Sequence, residues 1–113
     1  MSRSTSAVPE ADLECLRAWC GTHVPLTVRQ GTVSFEVSSS VVTVVEHGPP
    51  RPGLADPTVR VIAQLRRGPD GFWSLYWADR DEHWHPYRPL PDSRSLVDLL
   101  AEVDRDPLTV FWH

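Results

Sequence analysis

The chain has 113 residues with 41% hydrophobic content, which is enough for one compact domain and too short for two. Its net charge of -4 argues against sequence-independent nucleic-acid binding, which draws most of its strength from basic side chains at phosphates. No stretch approaches the roughly 18 consecutive apolar residues of a membrane span. We expect a cytoplasmic protein that binds neither nucleic acid nor membrane.

Residues 1–8 are predicted to form a flexible tail, followed by a single domain over residues 9–113. Pro9 and Gly21 bracket a predicted helix, because proline favours the first helical position and glycine the position just past the end. The two cysteines lie five residues apart on this helix, so we expect no disulfide or metal framework. The predicted buried stripe of the helix is Leu13, Leu16 and Cys20.

Two β-branched runs, at residues 33–37 and 41–46, flank a polar turn and predict a hairpin. The second run, VVTVVE, is apolar on both faces, so both faces need a cover. The C-terminal helix is predicted to cover one face and the N-terminal helix part of the other. We expect the remainder to pair with a second copy of the chain, which predicts a homodimer.

Residues 48–57 are rich in proline and glycine and predict a loop that stays outside the sheet. From Thr58 the chain alternates again and predicts a strand. One face of this strand carries Val59, Val61, Ala63 and Leu65. The other face carries Arg60, Ile62, Gln64 and Arg66. A turn at residues 67–71 then leads into Phe72.

The stretch 72–88 holds three of the five tryptophans, both tyrosines and two of the five histidines. It predicts a β-hairpin with its turn at residues 79–82. Alternation assigns to the core face Trp73, Leu75, Trp77 and Trp84. The opposite face then holds Ser74, Tyr76, His83, His85 and Tyr87. The tryptophans could instead stack single-stranded bases, but their face suits a helix stripe better.

The last predicted helix precedes Pro107 and has apolar residues at i, i+3, i+4 and i+7, which are Leu96, Leu99, Leu100 and Val103. The apolar residues 108–113 are expected to dock on the domain as a short strand or tail. The predicted fold class is α+β, with an N-terminal helix, an antiparallel meander of about five strands and a C-terminal helix.

Several motifs resemble an uncharacterised bacterial family of short proteins. They are W-x-x-x-W at 73 and 77, Asp81, W-H-x-Y at 84–87, the helix ending in VDRDP, and Phe111-Trp112. The resemblance implies no activity, cofactor or site, because the family has no assigned function. An arginine usually stands in that family where this chain has Asp79.

Two histidines of the returning strand suggest a metal site. His83 and His85 lie at i and i+2 on one strand face, about 6.5 to 7 Å apart, and zinc would need a third ligand. Candidates for the third ligand are His47, Asp81, Glu82 and His113. The alternative is that both histidines are ordinary strand residues, and we predict no metal and no organic cofactor.

Acid-base chemistry is a second hypothesis for the same strand. His85 would act as general acid or base, Asp81 would orient it, and Tyr87 would donate to a developing oxyanion. Alternatively, Asp81 only accepts backbone hydrogen bonds in the turn.

Two functions remain open from the sequence alone. The first is a binding module whose polar aromatic face receives a small molecule or a protein segment. Its ligand-binding residues would be Arg60, Tyr76, His83, His85 and Tyr87. The second is a small enzyme without an organic cofactor, with His85, Asp81 and Tyr87 as catalytic residues.

Overall fold

The computed structural model describes residues 8–22, 32–50 and 57–112. Its elements are α1 (Glu10–Thr22), β1 (Thr32–Ser38), β2 (Val41–Pro50), β3 (Pro57–Arg67), β4 (Trp73–Ala78), β5 (Trp84–Pro86), β6 (Asp92–Ser93) and α2 (Leu96–Arg105). The strands form one antiparallel sheet in the order β1-β2-β3-β4-β5, and β6 also pairs with β4. The predicted α+β class is confirmed, while β6 was not predicted.

Both helices pack on the same face of the sheet. Leu16 of α1 and Leu99 of α2 are fully buried in one cluster with Leu75 of β4. The Trp73 indole N–H donates to Asp12 of α1 at 3.3 Å. The Trp19 indole N–H of α1 donates to Asp104 of α2 at 3.0 Å. The expectation that α1 covers part of the opposite face is therefore wrong.

The opposite face, called the open face below, is covered by neither helix. Strand register assigns to it Glu36, Thr43, Val45, Val61, Gln64, Arg66, Ser74, Tyr76, Ala78, Trp84 and Asp92. The residues of the run VVTVV thus divide between the two faces of the sheet. Val42 and Val44 are fully buried under the helices, whereas Val45, which is itself only 4% exposed, lies on the open face.

A β-bulge in β3 changes the predicted faces of that strand. Val44 pairs with Ala63 and Val45 with Val61, so Ile62 is an extra residue on β3. Ile62 and Ala63 are both buried in the core cluster. Val61 therefore shares a face with Gln64, and its predicted position beside Ala63 and Leu65 is wrong.

The β4–β5 hairpin forms as predicted, but its faces are reversed on the returning strand. Trp77 pairs with His85, and Ala78 pairs with Trp84. His85 and Tyr87 consequently lie on the helix-covered face, and Trp84 lies on the open face. The connection spans five residues, 79–83, where four were expected. Because side chains alternate with period two, one extra residue moves the whole strand to the other face.

The predicted loop at residues 48–57 and the predicted tail at residues 1–8 both differ from the structure at their ends. Residues 48–50 and Pro57 lie within β2 and β3, so the prediction of a loop across 48–57 is wrong at both ends. Proline can still accept through its carbonyl, and the ladder is irregular between His47 and Pro50. Val8, the last residue of the predicted tail, is buried in the core, and residues 1–7 lie outside the described part. Neither described helix is long and apolar enough to cross a membrane.

The chain after α2 is held by one aspartate. Asp106 has left-handed backbone geometry with φ of 43°, and its carboxylate accepts hydrogen bonds from three backbone N–H groups. The donors are Val110 at 2.8 Å, Phe111 at 3.1 Å and Trp112 at 2.9 Å. The segment docks as expected, as a tail without a strand over residues 107–112.

We expect Asp106→Ala to lower the free energy of unfolding by about 2 kcal/mol or more, since three charge-assisted hydrogen bonds disappear. Alanine also disfavours the left-handed conformation. Urea unfolding followed by tryptophan fluorescence measures the loss. Asp106→Asn keeps one acceptor oxygen and tolerates this conformation, so its loss should be smaller. Equal losses in both variants would contradict the capping role.

Candidate functional site

Asp79 organises the connection between β4 and β5. Its Oδ1 accepts the backbone N–H of Asp81 and that of His83, each at 2.9 Å. Its Oδ2 lies 2.8 Å from Nε2 of His85 and 3.8 Å from Nδ1 of His83. The turn is also closed by the backbone bond from Asp79 N–H to the His83 carbonyl. A single carboxylate therefore joins the turn to His85, the histidine of β5.

These contacts lower the pKa of Asp79 to about 2, from an ordinary value near 3.8. The main cause is the hydrogen bond from His85, followed by the backbone N–H of His83. Partial burial of the carboxyl group opposes the shift but does not cancel it. Asp79 is therefore fully ionised at neutral pH and acts as a hydrogen-bond acceptor.

The hydrogen bond to Asp79 fixes the tautomer of His85. An ionised carboxylate can only accept, so Nε2 of His85 carries the proton and donates it. In the neutral ring Nδ1 is then an acceptor, and it has no hydrogen-bond partner among the described residues. The ring also stacks on Trp77, with 4.7 Å between ring centroids and 26° between the planes. His85 is thereby oriented from two sides.

His85 and Trp77 line a surface pocket of about 270 Å³, called the edge pocket below. The sheet edge and the following turn supply one side of it, and the tail after α2 supplies the other. Its lining residues are Trp77, His85, Pro86, Tyr87, Arg88, Pro89, Leu108 and Val110. The pocket therefore combines an aromatic pair, an apolar wall and one arginine.

Tyr87 occupies the floor of this region as a structural residue. It is 1% exposed, and its hydroxyl donates to Oε2 of the buried Glu102 at 2.7 Å. The other carboxylate oxygen of Glu102 accepts from Arg105 at 2.7 Å. Burial, then the contact with Glu102, raises the pKa of Tyr87 to about 12. The Tyr87 hydroxyl is thus held in a hydrogen bond to α2, and its raised pKa makes it a poor general acid.

The structure does not assemble the predicted trio of His85, Asp81 and Tyr87. The carboxylate at His85 belongs to Asp79, and no hydrogen bond within the described residues joins Asp81 to His85. Asp81 is exposed and contributes its backbone N–H to the turn, as the alternative interpretation had it. Only His85 of the three presents a free polar atom near the edge pocket.

The residues of the predicted polar aromatic face do not share one face of the sheet, so this prediction is wrong. Arg60 forms an ion pair with Glu46 at 2.9 Å on the helix-covered side. Tyr76 lies on the open face, where its ring carries the guanidinium of Arg66 at 3.9 Å. His83 is 75% exposed in the turn, and His85 and Tyr87 face the helices.

One group of potential metal ligands occurs in the described residues. Atoms of Asp79, Asp81 and His83 lie within 4.8 Å of one another. Asp79, however, is already satisfied by two backbone N–H groups and His85, and the other two side chains are exposed. The donor set is accounted for by turn geometry. Of the predicted third ligands, His113 lies outside the described residues.

Sequence reasoning missed Asp79 and Glu102. Asp79 directly follows a strand, and aspartates at that position commonly accept turn N–H groups, so the signal was available. Glu102 lies beside the apolar stripe of α2, but nothing in the sequence pairs it with Tyr87. The free thiols Cys15 and Cys20 are half-buried, and burial raises the pKa of Cys20 to about 11. That shift disfavours a reactive thiolate.

We expect Tyr87→Phe to lower the free energy of unfolding by about 1 to 3 kcal/mol, since buried Glu102 loses a hydrogen-bond donor. Chemical denaturation monitored by circular dichroism tests this. Tyr76→Phe is the matched control, because no hydrogen bond of the Tyr76 hydroxyl joins it to a described residue. It should change stability by less than about 0.5 kcal/mol. An unchanged free energy of unfolding in Tyr87→Phe would refute the structural role of Tyr87.

The low pKa of Asp79 predicts an acid-dependent contribution to stability. The folded state binds fewer protons than the unfolded state between the ordinary pKa near 3.8 and the folded pKa of about 2. The contribution is therefore present above about pH 4 and is lost as the pH falls towards 2. The stability difference between wild type and Asp79→Asn should shrink over that interval in denaturant titrations. A difference that stays constant down to about pH 2 would contradict the shift.

Comparisons with known proteins complete this description of the site. No curated protein and no solved structure matches the chain. One family model matches residues 5–113, nearly the whole sequence, and it is described as a domain of unknown function. The resemblance to an uncharacterised family is thereby confirmed. The chain belongs to the family Domain of unknown function (DUF3024).

Proposed function

We propose that this protein is a binding module whose ligand site is the edge pocket. The observation that carries the proposal is the orientation of His85, which is stacked on Trp77 and hydrogen-bonded to Asp79. A side chain fixed on two sides at a pocket wall is preorganised for recognition. Mostly apolar pockets with a few placed polar groups are the usual form of small-molecule sites.

The lining indicates the chemistry of the ligand. Nδ1 of neutral His85 accepts a hydrogen bond, so the ligand supplies an N–H or O–H group. Trp77 offers an aromatic surface, and Leu108 and Val110 offer an apolar wall. Arg88 lines the same pocket and favours a carboxylate or another anionic group. A small molecule or a protein segment that carries a donor, a flat apolar part and an acidic group fits these features.

Catalysis by His85 is the second candidate, and the hydrogen bond from His85 to Asp79 favours it. A carboxylate that holds the imidazole in one tautomer leaves the other nitrogen to act as a general base. A second proton-transfer group is harder to find in the edge pocket. Tyr87 donates to Glu102 and has a raised pKa, and the exposed Asp81 makes no hydrogen bond to His85 within the described chain. Binding therefore has the stronger support.

Native mass spectrometry of protein purified from its own host tests the binding function. We expect a co-purifying ligand with the wild type, and loss of most of it in His85→Ala, since the hydrogen-bond acceptor and the stacked ring disappear. His83→Ala is the matched control, because His83 is exposed and does not line the pocket. It should retain the ligand.

The outcomes separate the two candidate functions. Equal ligand retention in His85→Ala and His83→Ala would place the site elsewhere. The released ligand is then returned to fresh protein and followed by mass spectrometry. An unchanged ligand supports the binding module. Conversion by the wild type and not by His85→Gln would establish the enzyme.

A further inference from the structure

The open face of the sheet carries a fixed arginine near the end of the middle strand, β3. Nε of Arg66 donates to Oε1 of Gln64 at 2.7 Å, and its guanidinium lies 3.9 Å from the centroid of the Tyr76 ring. Gln64 is itself held by a 3.1 Å hydrogen bond from its amide to Thr43. The terminal nitrogens of Arg66 have no hydrogen bond or ion pair with another described residue. The guanidinium of Arg66 is therefore held in one orientation, while its terminal N–H groups make no hydrogen bond within the described residues.

An opposite charge lies in the same row of the sheet. Arg66 of β3 pairs with Ser74 of β4, and Ser74 pairs with Asp92 of β6. Two strand spacings separate Arg66 from Asp92, which corresponds to about 10 Å. The two side chains form no ion pair with each other within the described residues. Asp92 is exposed and forms no ion pair within the described residues.

We propose that the open face binds the open face of a second copy of this chain, about a two-fold axis that runs parallel to β4 over Ser74. Such a rotation keeps each residue at the same height along the strands. It exchanges β3 with β5 and β6, which both pair with β4 on its other side. Arg66 then faces Asp92 of the partner subunit, and the partner subunit's Arg66 faces Asp92. One symmetric interface therefore forms two ion pairs.

The geometry of packed sheets agrees with this arrangement. Sheets stacked face to face lie about 10 Å apart, a gap that an arginine and an aspartate side chain can bridge together. Aligned sheets keep their strands within about 30° of one another, as this axis requires. Tyr76 lies near the axis and meets its own copy. The exchange of β3 with β5 sets Trp84 against the β3 side chains of the partner.

The composition of the open face favours a protein partner over an anionic ligand. Arg66, Tyr76 and Trp84 of this face belong to the residue types that are enriched at protein interfaces. Carboxylates on the same face, Glu36 and Asp92, would repel a nucleic acid or a free phosphate. The net charge of -4 on each copy opposes association only weakly, because salt screens it beyond about 8 to 10 Å.

Sedimentation of the full chain at about 1 to 200 µM tests the interface. The wild type should show twice the chain mass of 12.8 kDa at the upper concentrations. Arg66→Glu and Asp92→Arg each place like charges at both symmetric contacts, so each should weaken the dimer by about tenfold or more. The double variant R66E/D92R should recover wild-type association. An equimolar mixture of the two single variants should form a mixed dimer, since both contacts are then complementary.

Glu36→Arg is the matched control, because it changes the net charge as Asp92→Arg does and lies on the same face. The proposed axis places β1 outside the contact, so Glu36→Arg should leave the association constant within about twofold. Asp92 is exposed, so Asp92→Arg carries the test even where Arg66→Glu disturbs the fold. A monomeric wild type, no recovery in the double variant, or equal weakening by Glu36→Arg would each overturn the proposal. None of these readouts depends on a ligand in the edge pocket.

Discussion

The carboxylate of Asp79 is the constraint on which both surfaces of the β4–β5 hairpin depend. It accepts two backbone N–H groups of a five-residue connection and one ring N–H of the returning strand. A connection of this length fixes the register that pairs Trp77 with His85. Because register decides the face of every residue on a strand, one turn assigns His85 to the helices and Trp84 to the open face.

A second set of buried polar contacts builds the wall opposite His85. The Tyr87 hydroxyl ties β5 to Glu102 of α2, and Asp106 at the end of α2 holds the backbone of the following tail. Val110 receives one of these hydrogen bonds and also lines the edge pocket. Buried polar groups of this kind are stabilising only while every partner is present. The shape of the edge pocket therefore follows from contacts that also stabilise the fold.

The sequence predicted the elements far better than their faces. Hydrophobic periodicity located both helices and the five strands of the meander, because each stripe is dictated by burial. The same periodicity assigned the wrong faces to residues of β3 and β5, and the physical reason is the same in both strands. An extra residue, Ile62 in the bulge and His83 in the connection, reverses the alternation without changing the local composition. The candidate site inherited this error, since Arg60, Tyr76 and Tyr87 were assigned to one face by alternation alone.

The reversed register also explains why the two proposed contacts can coexist. His85 and Trp84 are neighbours in sequence, but they project from opposite faces of the same strand. A dimer through the open face therefore leaves the edge pocket accessible from the helix-covered side. A ligand that binds Nδ1 of His85 leaves the Nε2 bond to Asp79 intact, whereas one that displaced Asp79 would release the turn that sets the register. Recognition through Nδ1 is consequently the mode that preserves both surfaces.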